Sequence, residues 1–143
     1  MAKLKSLSIN NTEMTDFIVG GGVSEGWTWR KWNSGTIELW RIVTDVDVIL
    51  DATTDGIFRA CDNLLTLPFP ILKVQSYGII EANGNANVCP IWVCHCYFMD
   101  DNNVPMFSDD VPATRIMYDM FTNYIPSGIP KARLFFSVKA RWK

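Results

Sequence analysis

Cys89, Cys94, His95 and Cys96 lie close together and are of the residue types that bind zinc or act as nucleophiles. Zinc takes thiolates and imidazoles, but its sites favour cysteine pairs separated by two to four residues on a turn. Cys94 and Cys96 instead fall in an apolar run with strand alternation, which puts both on one face and His95 on the other. That spacing suits small buried hydrophobes better than ligands, so we expect no metal and no cofactor. A Cys–His nucleophile would then need Cys61 or Cys89 brought to His95 by the fold.

Glycoside hydrolysis requires two carboxyl groups about 5 to 9.5 Å apart. Asp45 and Asp47, two apart on one strand face, would be separated by about 6.6 Å, but that holds for most such pairs on a solvated polar face. The glycines fail nucleotide motifs: after Gly20 and Gly22 the third position of a dinucleotide loop is Glu25, and no Gly-Lys-Ser/Thr follows. Asp100-Asp101-Asn102-Asn103 has the composition of a calcium loop without its glycine or its distant Glu, and reads as a hairpin-end turn. No constellation for catalysis emerges, and we expect a protein that is not an enzyme.

The elements that carry these residues follow from composition and periodicity. The 143 residues are 48% hydrophobic and 20% charged, a globular balance with length for one domain. Net charge is −2 and the 13 Lys and Arg are scattered, which argues against a nucleic-acid partner. No apolar run reaches the ~18 residues of a membrane span, and no apolar run follows the N-terminal lysines as it would in a secretory signal. We expect cytoplasmic synthesis with reduced cysteines.

Period-two alternation recurs between turn signals, the all-β pattern. At the C-terminal end, Leu134, Phe136, Val138, Ala140 and Trp142 line one face of a strand, with Arg133, Ser137, Lys139, Arg141 and Lys143 on the other. In Ile42 to Leu50, Ile42, Val46, Val48 and Leu50 share a face, whereas Ile37 and Leu39 just before have the opposite parity. A bulge or sheet switch near Trp40 to Val43 would reconcile the two. Ile71 to Ile80, a turn at Asn83-Gly84-Asn85, and Val88 to Met99 predict a long hairpin. Its second strand, apolar on both faces, is expected between two packed layers. Ala113 to Tyr124 fits helix and strand spacing alike, and is assigned as strand. Residues 1–22, turn-rich and ending in Gly20-Gly21-Gly22, read as an N-terminal connector, and residues 23–143 as the head.

The most specific stretch is Trp27-Thr28-Trp29-Arg30-Lys31-Trp32-Asn33-Ser34-Gly35-Thr36-Ile37-Glu38-Leu39-Trp40. It predicts a hairpin with a three-residue loop, Gly35 taking the left-handed position. In that register Arg30 faces Glu38, Thr28 faces Trp40, Trp32 faces Thr36, and Trp29 meets Leu39 on the other side.

This segment, preceded by Asp16-Phe17-Ile18-Val19, resembles the recurring hairpin of phage and prophage tail-fibre or minor structural proteins of Gram-positive bacteria. Those sequences also tend to finish in a short strand ending Arg-Trp-Lys, as Arg141-Trp142-Lys143 does here, and Leu67-Pro68-Phe69-Pro70 looks like the family's approach to a central strand. The Cys-rich run at Cys89 to Cys96 departs from the family pattern. The resemblance implies an antiparallel β-sandwich (jelly-roll-like) head, usually trimeric, and brings no catalytic residues.

The expected function is non-catalytic attachment to the host bacterial surface, with cell-wall glycan as ligand. The alternatives are a structural fibre cap or trimerisation module, and a glycan-cleaving tail enzyme. Expected partners are the chain itself as homotrimer, other tail or baseplate proteins, and the host glycan. The expected location is the virion tail, assembled in the host cytoplasm. Six Trp and a two-sided apolar strand are more apolar surface than one small sandwich hides, which also favours assembly. A sugar site combines an aromatic ring with Asn or Asp on a loop; the candidates are Asp101, Asn102 and Asn103 with Tyr124.

Overall fold

A computed structural model describes residues 7–9, 12–14, 16–81, 92–106, 110–122 and 131–143. The described chain is all-β and antiparallel. A two-stranded ribbon, β1 (Leu7–Ile9) with β2 (Thr12–Met14), precedes one eight-stranded sheet. The strands of that sheet are β3 (Ile18–Ser24), β4 (Trp27–Trp32), β5 (Thr36–Asp47), β6 (Ala52–Thr54), β7 (Ile57–Glu81), β8 (Trp92–Met99), β9 (Ala113–Thr122) and β10 (Lys131–Arg141). They run in the order β3-β4-β5-β10-β7-β9-β8, with β6 added beside β7.

The C-terminal strand forms as its alternation predicts. Ala132, Leu134, Phe136, Val138 and Ala140 are all buried, and β10 is flanked by β5 and β7, which places it in the middle of the sheet. The segment 113–122 is a strand, its Ile116, Tyr118 and Met120 buried. The parity change in β5 also has the expected cause, a few residues later than expected. Val43 pairs with Leu134 and Val46 with Ala132, so β5 carries one residue too many, and Asp45 takes a φ of 56° there. Asp tolerates that left-handed backbone better than most residues. Ile37 and Leu39 before the bulge and Val48 after it are thereby all buried, whereas Ile42 is half exposed rather than sharing their face.

Three expectations are corrected. The hairpin between the strands around 71–80 and 88–99 does not form: β8 pairs with β9, and the C-terminal half of β7 pairs with β10. Its proposed turn at 83–85 lies outside the described residues. β8 is also an end of the strand order rather than an interior strand; Phe98 and Met99 are buried, but Tyr97 is 41% exposed. Finally, Gly20-Gly21-Gly22 is the middle of β3, paired residue by residue with Lys31, Arg30 and Trp29, so the boundary placed at residue 22 falls within a strand. The glycines make room for an indole. A Cβ on Gly20 or Gly22 would stand 3.5 or 3.3 Å from the Trp29 ring.

β7 belongs to two pairings. Residues Phe58–Thr66 and Ile71 pair with β9, and Leu72–Glu81 with β10. Pro68 and Pro70 occupy the gap in the β7–β9 ladder between Thr66 and Ile71, and have no N–H to contribute to it. The Thr66 carbonyl at this corner accepts a hydrogen bond from the indole Nε1 of the fully buried Trp27, at 2.8 Å. One buried cluster takes side chains from both regions, with Tyr118 of β9 edge-on to Phe136 of β10 at 5.1 Å and Trp29 of β4 edge-on to Phe69 at 5.0 Å.

Trp27→Phe keeps most of the apolar contact and removes the donor to Thr66. It is expected to lower stability by about 1–3 kcal/mol, read as a shift in the denaturant midpoint at unchanged slope.

Candidate functional site

The hairpin that carries the resemblance has the register its loop predicts. Arg30 pairs with Glu38, Thr28 with Trp40 and Trp29 with Leu39; Gly35 has a φ of 93° and its N–H donates to the Trp32 carbonyl at 3.0 Å. The other motif segments converge on this loop. Asn33 exchanges hydrogen bonds with Phe17 through its own N–H and its Oδ1, and Asp16 Oδ1 accepts from the Ser34 N–H. From the far end of the chain, the Trp142 N–H donates to the Gly35 carbonyl and its indole Nε1 to the Trp32 carbonyl.

Alternation then sends every second side chain of β4, β5, β10 and β7 to the outer face, away from the buried cluster. The registers align these side chains in rows. Arg30, Glu38, Lys139 and Ser76 form one row; Thr28, Trp40, Ser137 and Gly78 form the next. Gly78 contributes no side chain there, and a Cβ on it would reach the Ser137 hydroxyl at 3.1 Å. The result is an open groove of about 480 Å³ with Arg30, Glu38, Trp40, Ser76, Phe135, Ser137 and Lys139 in its lining.

Electrostatics hold one end of the groove in place. Arg30 Nε donates to Glu38 Oε2, which also accepts from Trp32 Nε1 at 3.0 Å, and the Arg30 guanidinium lies 5.5 Å from the centres of both the Trp32 and Trp40 rings. Partial burial pushes the Glu38 carboxyl pKa up, but the hydrogen bonds from Arg30 and Trp32 and the nearby cationic charge outweigh it, leaving the group below its ordinary value. Trp40 is thereby braced as a fixed aromatic wall, with Phe135 as a second apolar surface and Ser76, Ser137 and Lys139 as hydrogen-bonding groups. A planar apolar ring beside a few fixed polar groups is the chemistry that holds a saccharide.

The loop candidates have other duties. Asp100 Oδ1 accepts from the N–H groups of Asn102 and Val104, both at 2.8 Å, and the bond from Val104 does most to hold its carboxyl below the usual range. Asp101 accepts from the Thr114 hydroxyl at 2.7 Å and Asn103 from Arg115 Nη1 at 2.8 Å. Asn102, exposed at the tip, also hydrogen-bonds Asp100 through its side chain. These residues build the turn after β8 and fasten it to β9, the hairpin-end role. Tyr124 lies outside the described residues.

The thiol and carboxylate alternatives gain little. Burial pushes the Cys96 thiol up to about 11, far from a reactive thiolate; Cys89 and the side chains of Cys94 and His95 lie outside the described residues. Asp47 forms an ion pair with Lys131 at 2.6 Å on the exposed surface, and Asp45 is the bulge residue.

The groove was absent from the sequence reading because its members come from four separate segments. The signal available was the polar face of the C-terminal strand, which carries Ser137 and Lys139. Comparison with known protein families, characterised proteins and solved structures finds no match.

Two outcomes follow from these environments. Glu38 has a lowered folded pKa, so its contribution to stability is present above the unfolded value, near 4.5, and is lost as pH falls through the folded value. Because the pair with Arg30 is part-exposed, Glu38→Gln should cost on the order of 0.2–1 kcal/mol at pH 7 and flatten the acid limb of a stability-against-pH curve. Cys96 should resist iodoacetamide at pH 8 in the folded protein and react once the chain is unfolded in urea, as mass spectrometry of the Cys96 peptide would report.

Proposed function

We propose that this chain is the receptor-binding head of a bacteriophage tail-fibre-like protein, attaching without catalysis to a glycan of the host cell surface. The observation that carries this reading is the outer-face groove, where Trp40 and Phe135 provide apolar ring surface beside Ser76, Ser137, Arg30 and Lys139. The resemblance of the Trp27–Trp40 hairpin and the Arg141-Trp142-Lys143 end to Gram-positive phage tail proteins supplies the biological setting. In that setting the partners are other tail or baseplate proteins, the location is the virion tail, and the segment before β3 is the connector.

The two regions of the sheet that share one buried cluster are consistent with a β-sandwich head. Assembly as a homotrimer has a surface to use. On the outer face of β7, β9 and β8 the register aligns Leu64, Met117 and Tyr97, with Leu64 50% and Tyr97 41% exposed. Covering such a row by symmetric association is the ordinary solution, and three weak sugar sites acting together raise avidity by roughly 10² to 10⁴.

Hydrolysis is the weaker reading. It needs two carboxyl groups about 5–9.5 Å apart, whereas among the described lining residues Glu38 is the groove's one carboxylate, and it is engaged by Arg30 and Trp32.

Binding of the labelled protein to a panel of Gram-positive cell walls and their purified polysaccharides, with product analysis, tests the proposal. Trp40→Ala should weaken binding by roughly tenfold or more without release of sugar fragments. Absence of binding to every member would favour the structural cap, and fragment release would favour the enzyme. Light scattering at micromolar concentration should give a trimer mass; a monomer would remove the assembly part.

A further inference from the structure

The outer face continues beyond the groove, and its character changes. On β10 the side chains after Ser137 on this face are Lys139 and Arg141, and Lys143 follows two residues further on. Arg141 and Lys143 lie side by side over Gly35: a Cβ built there would stand 2.6 Å from Arg141 Nη2 and 3.1 Å from Lys143 Cγ. Opposite them β7 is looped out. Leu72 pairs with Arg141 and Ser76 with Lys139, so four steps along β7 face two along β10, and Lys73 within this excursion has a φ of 44°. The excursion opens a second cleft, of about 600 Å³, lined by Lys73, Gln75, Asp110, Arg141 and Lys143 with Leu72 and Val74.

Three cations and one carboxylate therefore line the cleft. Arg141 Nε donates to the Lys143 carbonyl at 3.4 Å, and the Lys143 ammonium lies 4.8 Å from the centre of the Trp142 ring at the edge of the cleft. Lys139 also belongs to the lining of the groove, so the aromatic groove and the basic cleft are consecutive stations along β10. Residues two apart on a strand are about 6.7 Å apart, so Lys139 and Arg141 present positive charge at that step, with Lys143 just past the end of β10. A net charge of −2 makes this local concentration a feature of the face rather than of the whole chain.

We infer that the basic cleft is an anion subsite, and that the ligand is a glycan chain bearing repeated phosphate or carboxylate groups. This rests on the glycan-binding reading of the groove and specifies its ligand class. The sugar lies against Trp40 and Phe135, and the anionic groups reach Lys139, then Arg141, Lys73 and Lys143. A guanidinium presents a fork of donors to phosphate or carboxylate, while the lysines act as point charges.

The cleft is tested apart from the groove by calorimetric titration with tripolyphosphate, trigalacturonate and, as a nucleic-acid comparison, a short oligothymidylate. Saturable binding of tripolyphosphate or trigalacturonate is expected, the stronger of the two identifying phosphate or carboxylate as the natural group. It should fall roughly tenfold in Arg141→Gln and in Lys73→Gln, fall as salt is raised, and be unchanged in Lys131→Gln, which removes a cation at the far end of β10. Melting curves establish that each variant is folded. Absence of saturable binding, or equal losses in Lys131→Gln and Arg141→Gln, would overturn the anion subsite. Tighter binding of the oligothymidylate would overturn the glycan assignment of the cleft. A protein that binds neutral wall polysaccharide but neither small anion retains the groove and loses this inference alone.

Discussion

Pro68 and Pro70 have no N–H to give, and they stand where the ladder between β7 and β9 is interrupted. Thr66 still pairs with Arg115, and the next pairing is Ile71 with Ala113, five steps on one strand against two on the other. β9 begins at Ala113, so beyond Ile71 it offers β7 no further partner, and from Leu72 onward β7 pairs with β10. The Thr66 carbonyl at the corner is claimed by the Trp27 indole, and the Phe69 ring between the prolines packs edge-on against Trp29. The change of partner along this one strand holds β9 and β10 beside each other, and their side chains meet in one core.

The same register discipline that closes the core also builds the outer face. Lys31 illustrates how crowded the core side becomes: its ammonium lies 4.3 Å from the centre of Phe69 and 5.1 and 5.3 Å from those of Trp142 and Trp29. Such a cation shielded by three rings gains from the electron-rich faces what it loses in hydration. One residue away, alternation puts Arg30 on the outside, where it contacts Trp32, Trp40 and Glu38. Aromatic–cation contacts therefore line both surfaces of β4, inward as packing and outward as the wall of a groove.

Local signals were legible and non-local ones were not. Asn33-Ser34-Gly35 specifies a loop of defined length, and loop length sets the register of the two strands it joins, so Arg30 opposite Glu38 could be read directly. The alternation from Leu134 to Ala140 was equally clear because β10 buries that face, Ala132 included. The parity change in β5 announced a bulge but not its position, since Asp45 is one of several residues that could accept a positive φ. The partner of β8 was misread because proximity in sequence favours a hairpin, whereas the corner in β7 redirects that strand to β10. The groove was invisible for the same reason: Arg30, Ser76 and Lys139 become neighbours only through three successive registers. Asp101 and Asn103 looked like ligand groups because hydrogen-bonding capacity can be read from sequence and the partner that uses it cannot.

The loop Asn33-Ser34-Gly35 receives Phe17 on one side and Trp142 on the other, so the path that begins at the edge strand and ends at the central one returns to its starting corner. Topologically the 126 residues from Phe17 to Trp142 form a closed circuit. A short linker could join the two ends, and the exposed Asp55-Gly56 turn, where a Cβ on Gly56 would meet nothing within 4 Å, is a place to open the ring while leaving the ladders intact. By the same geometry the whole unit could be inserted into a loop of another chain as a pendant module, because entry and exit are both held at one loop.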